Sequence, residues 1–131
     1  MIKVFTQLQK LVHQNVHTNP IITDRETEVV GEYYIGEIKK EADEVFAEIK
    51  QNNAVYLTDE LADIFWDYST LLEMLASRGY IDSVDAVYER VLAKYQERSE
   101  AFADNDNSNW NQLKEKQKTE LAQQHRQRYN T

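Results

Sequence analysis

Residues 58–79 read TDELADIFWDYSTLLEMLASRG. Leu61, Ile64, Phe65, Tyr68, Leu71, Leu72 and Leu75 recur at the spacing of one helical face. Ala62, Trp66 and Met74 add apolar groups on other sides. A helix that is apolar nearly all round belongs in the middle of a bundle. Thr58 and Asp59 are suited to the N-cap, and Gly79 to the position just past the C-terminus. Core packing is the default role of each aromatic in this stretch.

Working outward, the pattern predicts four more helices. One covers about 27–51 and ends at Gln51, Asn52 and Asn53. Another covers about 2–15, with Phe5, Leu8, Leu11 and Val12 on one side, and stops before a turn at Thr18, Asn19 and Pro20. A fourth begins at Asp82, a good N-cap residue, and runs to about Ala101. Residues 104–109 form a polar linker, and a last helix spans about 110–129. The expected architecture is an all-α bundle of four core helices plus a C-terminal helix, with the second and third at its centre. With 131 residues the chain is expected to be a single domain over 1–131. Only 3 glycines and 1 proline argue against a turn-rich sheet protein. No cysteine is present, which excludes disulfides, thiolate zinc sites and cysteine nucleophiles. Neither a signal-peptide core nor a run approaching the ~18 apolar residues of a membrane span is found, so a soluble, cytoplasmic protein is expected. The net charge of −8 disfavours nucleic acid and anionic membrane as partners.

The acids are not scattered. At about 100° per residue, Glu37, Glu41, Glu44 and Glu48 fall within a stripe roughly 60° wide, beside the apolar stripe of Ile38, Ala42, Val45 and Ile49. On the next helix Glu60, Asp63 and Asp67 line up beside Leu61, Ile64 and Tyr68. In an antiparallel hairpin these two edges meet. Facing carboxylates need a counter-charge, and a hard divalent cation with oxygen ligands supplies one. An ordinary solvated acidic face, with Lys39, Lys40 and Lys50 nearby, accounts for the stripe equally well. A di-iron carboxylate site is disfavoured, because His13, His17 and His125 lack a glutamate three residues earlier. Gly-rich phosphate loops and hydrolase nucleophile or zinc motifs are absent.

The spacing carries more. Glu41 and Glu44 form a Glu-x-x-Glu pair, and after fifteen intervening residues Glu60 and Asp63 form a Glu-x-x-Asp pair. This resembles the metal-binding motif of the MazG-like all-α nucleotide pyrophosphohydrolases. The stretch from Asp59 to Trp66 resembles the family's Glu-Leu-Gly-Asp segment, with Ala62 in place of glycine. Gly79 to Asp82, then Val91 to Arg98, resemble the family's next segments, including a Lys and, four residues on, an Arg. Trp110 with Lys114 resembles a Trp-x-x-x-Lys piece near the domain's end. The resemblance covers about 25–118. It departs at Ser99 and Glu100, where His-Pro is frequent, and at Lys40, where another glutamate is frequent.

The resemblance implies hydrolysis of a nucleoside triphosphate to monophosphate and pyrophosphate, with Mg²⁺, or Mn²⁺ as a substitute. It implies Glu41, Glu44, Glu60 and Asp63 as metal ligands, and one of these or Glu37 as the group that activates water. Lys94 and Arg98, on one helix face, would neutralise the departing pyrophosphate; a surface pair bonded to acids such as Glu97 is the competing reading. It also implies nucleotide-pool clearing and a homodimer or larger assembly, the latter in keeping with an apolar third helix from whose main stripe Trp66 projects away. Two alternatives stay open: a superfamily substrate such as dUTP, dCTP or phosphoribosyl-ATP, and a non-catalytic helical module that binds metal or nucleotide only.

Overall fold

A computed structural model describes the backbone of residues 1–103 and 107–129 and the side chains of residues 1–100 and 110–129. Among the described residues every regular element is a helix: α1 (Ile2–Thr18), α2 (Pro20–Thr23), α3 (Thr27–Glu48), α4 (Ala54–Ser77), α5 (Val84–Ala103) and α6 (Asn107–Tyr129). None of them is long and apolar enough to cross a membrane. The chain divides into two compact units, Met1–Val84 and Asp85–Thr131.

In the first unit α3 packs on α4, and α1 packs on both α4 and α2. Val16, Ile22, Val30, Tyr34, Leu71 and Met74 form its buried core, with Ile38 and Leu75 against it. The stripe expected on α4 is buried only in its C-terminal half, where Leu71 and Leu72 are buried and Leu75 packs against the core. Asp67, Thr70, Leu71, Leu72 and Met74 are buried, while Leu61, Phe65 and Tyr68 are 49%, 48% and 46% exposed. Trp66 is half-buried. The core residues of α1 and α2, Val16 and Ile22, cluster with Leu71 and Met74 in the C-terminal half of α4, while apolar groups of its N-terminal half stay on the surface. On α1 the buried residues are Val12 and Val16, whereas Phe5 and Leu11 flank the packed face and stay exposed.

The helix ends follow local chemistry. The Asn19 N–H donates to the Asn15 carbonyl (2.9 Å), closing α1 at Thr18. The Asn19 side chain then accepts from the Ile21 N–H (3.1 Å), and Pro20 occupies the first position of α2, where its missing N–H costs nothing. The expected turn is therefore a short helix, and it inserts Ile22 into the core. α3 stops at Glu48, three residues before the expected end. Asn53 Nδ2 donates to the Glu48 carbonyl (2.8 Å) and to Glu48 Oε2 (2.6 Å), and Asn52 takes the left-handed φ of 57° that asparagine tolerates. Because Asn53 is the flanking residue, α4 starts at Ala54, and Thr58 and Asp59 lie inside the helix.

The end of α4 matches the expectation from Gly79. Its φ is +79°, the Tyr80 N–H donates to the Leu75 carbonyl (2.9 Å) and the Gly79 N–H to that of Ala76 (3.1 Å). This is the double bond pattern of a Schellman end. Arg78 then ties that end to the α2–α3 link, donating to the carbonyls of Ile22 (2.6 Å) and Arg25 (3.0 Å) and to Thr27 Oγ1 (3.1 Å).

α5 begins at Val84, two residues after Asp82, and from Asp85 on it belongs to the second unit. α6 begins at Asn107, so the expected linker at 104–109 is helical from 107; residues 104–106 lie outside the described residues.

Met74 is wholly buried, and Val55 is 80% exposed. Met74→Ala should cost about 2–5 kcal/mol of stability, by lost transfer energy plus the cavity left behind. Val55→Ala should change it by about 0.5 kcal/mol or less. Chemical denaturation followed by circular dichroism measures both.

Candidate metal centre

The packing of α3 on α4 brings their acidic edges together in antiparallel order. Glu41 feels the charges of Asp67 and Asp63, and Glu44, one turn further on, approaches Glu60. Two groups result. One ligand oxygen each from Glu37, Glu41 and Asp67 lie within 4.8 Å of one another, and so do those of Asp59, Glu60 and Asp63. Asp63 acts on both Glu41 and Glu60, so it stands between the groups.

The four acids of the sequence motif are thus on facing edges of one helix pair, but they do not form one closed set. Asp67 takes a place that the motif does not give it. It is 8% exposed and one turn beyond Asp63, and it shares a group with Glu41. Its alignment on the acidic stripe was the sequence signal. Glu48, last in the α3 stripe, is instead engaged by Asn53. Lys40, on the turn after Glu37, lies 3.8 Å from Glu37 Oε2 as a surface ion pair.

The electrostatics are those of acids forced together. The Glu41 carboxyl is pushed up to about 8 by burial, by its approach to the Asp67 carboxyl, and by the charges of Asp67, Asp63 and Glu37. Glu60 is raised too, by desolvation, by its approach to Glu44 and the charge there, and by Asp63 and Asp59. Glu41 Oε2, Glu60 Oε2 and Asp67 Oδ2 are shielded from solvent and have no hydrogen-bond partner among the described residues. An ionised carboxylate can only accept. A proton, a water or a cation among these oxygens would satisfy them, and of the three only a cation also offsets the charge of several ionised acids at once. An all-oxygen donor set of this kind fits a hard divalent cation such as Mg²⁺.

The chain matches the MazG nucleotide pyrophosphohydrolase domain over residues 31–102, more than half its length. It belongs to that family. The match takes in all six acids of the two groups from Glu37 to Asp67, and Lys94 and Arg98 as well; α1, α2 and α6 lie outside it. No curated protein and no solved structure matches the chain.

Lys94 and Arg98, matched by the MazG family, belong to the second unit. Arg98 Nε donates to Gln117 Oε1 (2.8 Å), and its guanidinium lies 5.4 Å from the ring centroids of both Tyr95 and Trp110. Gln117 is buried, and its amide donates to the Lys94 carbonyl (3.2 Å) and to Glu97 Oε1 (3.3 Å). Arg98, for which the sequence offers either neutralisation of pyrophosphate or a surface pair bonded to acids such as Glu97, is held by two aromatic rings and a buried amide. Glu97 is directed to Gln117 and to Lys116, 3.9 Å away.

The raised Glu41 carboxyl gives a pH dependence of defined sign. Between its ordinary value of 4.5 and about 8, the folded chain holds a proton that the unfolded chain has released. In chelator-treated protein this contribution is full below pH 4.5 and is lost as pH rises through 8. Thermal melts across that range should show a decline that Glu41→Gln flattens.

Proposed function

We propose that the protein hydrolyses a nucleoside triphosphate to the monophosphate and pyrophosphate, using Mg²⁺, or Mn²⁺ in its place. The observation that carries this reading is the set of donor-less carboxylate oxygens on Glu41, Glu60 and Asp67, inside the residues that match the family. Glu41, Glu44, Glu60 and Asp63 would hold the cation, with Asp67 completing the buried side. When bound, the cation offsets the charge between the acids and the triphosphate, polarises a phosphoryl oxygen and makes an attacking water more acidic.

The chain's own groups do the rest. The α3–α4 core fixes the carboxylates before substrate arrives, so little reorganisation accompanies the reaction. We assign acceptance of the water proton to Glu37, one turn before Glu41 and with an oxygen in the same group. Glu41 and Glu44, the other two candidates for that role, serve as cation ligands in this assignment. The family match takes in Lys94 and Arg98, and we assign to them the neutralising of phosphate charge on the nucleotide; the clamp on Arg98 keeps its fork in a fixed geometry. Residues 1–131 would work as a single domain in the cytoplasm, clearing nucleotides from the pool.

Two measurements test the reading. Mg²⁺ should raise the melting temperature, since a ligand bound by the folded state stabilises it, and Glu41→Gln or Asp63→Asn should abolish the rise. Incubation with a mixed nucleoside triphosphate pool in ¹⁸O-water should then release pyrophosphate, with no label confined to inorganic phosphate. A retained metal response without turnover would identify a non-catalytic binding module instead.

The exposed apolar groups of the same hairpin, Leu61, Phe65 and Tyr68 of α4 with Phe46 of α3, 79% exposed, support a homo-oligomer. Sedimentation equilibrium at micromolar concentration should give at least a dimer, and Phe65→Glu should shift it toward monomer.

A further inference from the structure

The carboxylate edges leave a different set of metal-ligating side chains unused. His13 and His17 are one turn apart on α1, outside the residues that match the family, with ring centroids 4.3 Å from each other. Glu73 of α4 reaches them across the α1–α4 packing: its Oε1 is 2.7 Å from His13 Nδ1. One ligand atom each from His13, His17 and Glu73 lie within 4.8 Å of one another. The His13 side chain is 65% exposed, so an ion has access, while Glu73 is 24% exposed and held on the packed side of α4.

The chemistry of this set differs from that of the acids at Glu41 and Glu60. Two imidazole nitrogens and one carboxylate suit a borderline ion such as Zn²⁺, whereas Mg²⁺ favours oxygen alone. Histidines four apart on one helix face can hold one ion without any change of backbone. A hydrogen bond between His13 and Glu73 requires a proton between them, and a metal ion can replace that proton. An ion pair alone would leave the neighbouring His17 without a role, and exposed pairs of this kind contribute little.

We propose that His13, His17 and Glu73 form a second metal site that binds Zn²⁺ or a similar borderline divalent ion, with the fourth position open to water. Such an ion links α1 to α4 across the face that carries Val12 and Val16. It therefore stabilises the first unit, independently of the hydrolase reading.

The test is calorimetric titration of Zn²⁺ into the full chain in excess Mg²⁺, with the melting temperature as a second readout. One strong Zn²⁺ per chain and a raised melting temperature are expected. His17→Ala should weaken binding by roughly tenfold or more, and so should His13→Gln. Glu41→Gln, which removes an acid of the other set, should leave Zn²⁺ affinity unchanged. X-ray absorption at the zinc edge should show imidazole ligation that His17→Ala reduces. Equal affinity in wild type and His17→Ala overturns the proposal, as does Zn²⁺ uptake that Glu41→Gln alone abolishes. Because the second result concerns only Zn²⁺ in excess Mg²⁺, the hydrolase reading stands or falls separately.

Discussion

The contact between α3 and α4 sets two opposing demands on one helix pair. At one end, Val30 and Tyr34 share a core with Leu71 and Met74 and draw the helices together. Further along, the same pairing brings Glu37, Glu41 and Glu44 against Asp63, Asp67 and Glu60. The first is favourable by roughly 1.5–3 kcal/mol for each large side chain fully buried. The second is unfavourable wherever two ionised acids lose water together. Since one rigid element carries both, the acids cannot move apart without opening the core. The repulsion is relieved by protonation instead, which is why Glu41 is the most perturbed carboxyl described.

How much of this could be read in the sequence depended on whether a residue's role was set within its own helix. The acidic edges of α3 and α4 were legible, because they follow from 3.6-residue periodicity alone. The end of α4 was legible as well, since only a residue free to adopt φ near +79° serves at Gly79. What the periodicity did not fix was how far along α4 the core extends. Leu61, Phe65 and Tyr68 share the stripe of Leu71 and Leu72, yet only the latter pair is buried, with Met74 beside it. Tertiary packing set that limit, because the buried core of the first unit draws from α4 only at Leu71 and Met74. Asp67 was visible on the acidic edge but lay one turn past the motif. Its place beside Glu41 depends on the register between helices, which a single strand of sequence does not carry. Glu73 was invisible for the same reason: sixty residues separate it from His13. The start of α4 was misplaced because Thr58 and Asp59 are good cap residues, yet Asn53 is positioned first by its bonds to Glu48.

The departures from the family pattern acquire a meaning in this frame. Where another glutamate is frequent, this chain has Lys40, and the structure places its ammonium 3.8 Å from Glu37. That pair lies toward solvent, where charges are screened and a bond of this length is weak. It offsets part of the charge on Glu37, one member of the group with Glu41 and Asp67. The oxygens that lack any partner, on Glu41, Glu60 and Asp67, are those shielded from solvent. Lys40 therefore does not satisfy those oxygens, and among the described residues no other basic side chain bonds to them.

The chemistry of those oxygens also bears on how an acidic chain can attract an anion. With a net charge of −8, the protein as a whole repels a triphosphate. Local basic groups such as Lys94 and Arg98 lessen that repulsion only near themselves, since the field of an exposed charge decays over about 8 Å at physiological ionic strength. A divalent cation among the acids acts differently. It converts a cluster that excludes phosphate into one that shares an ion with it, at the point where desolvation makes the interaction strongest. On the proposed reading the cation ligands act on substrate through the ion they hold, and the metal-free chain would repel the triphosphate that the loaded chain accepts.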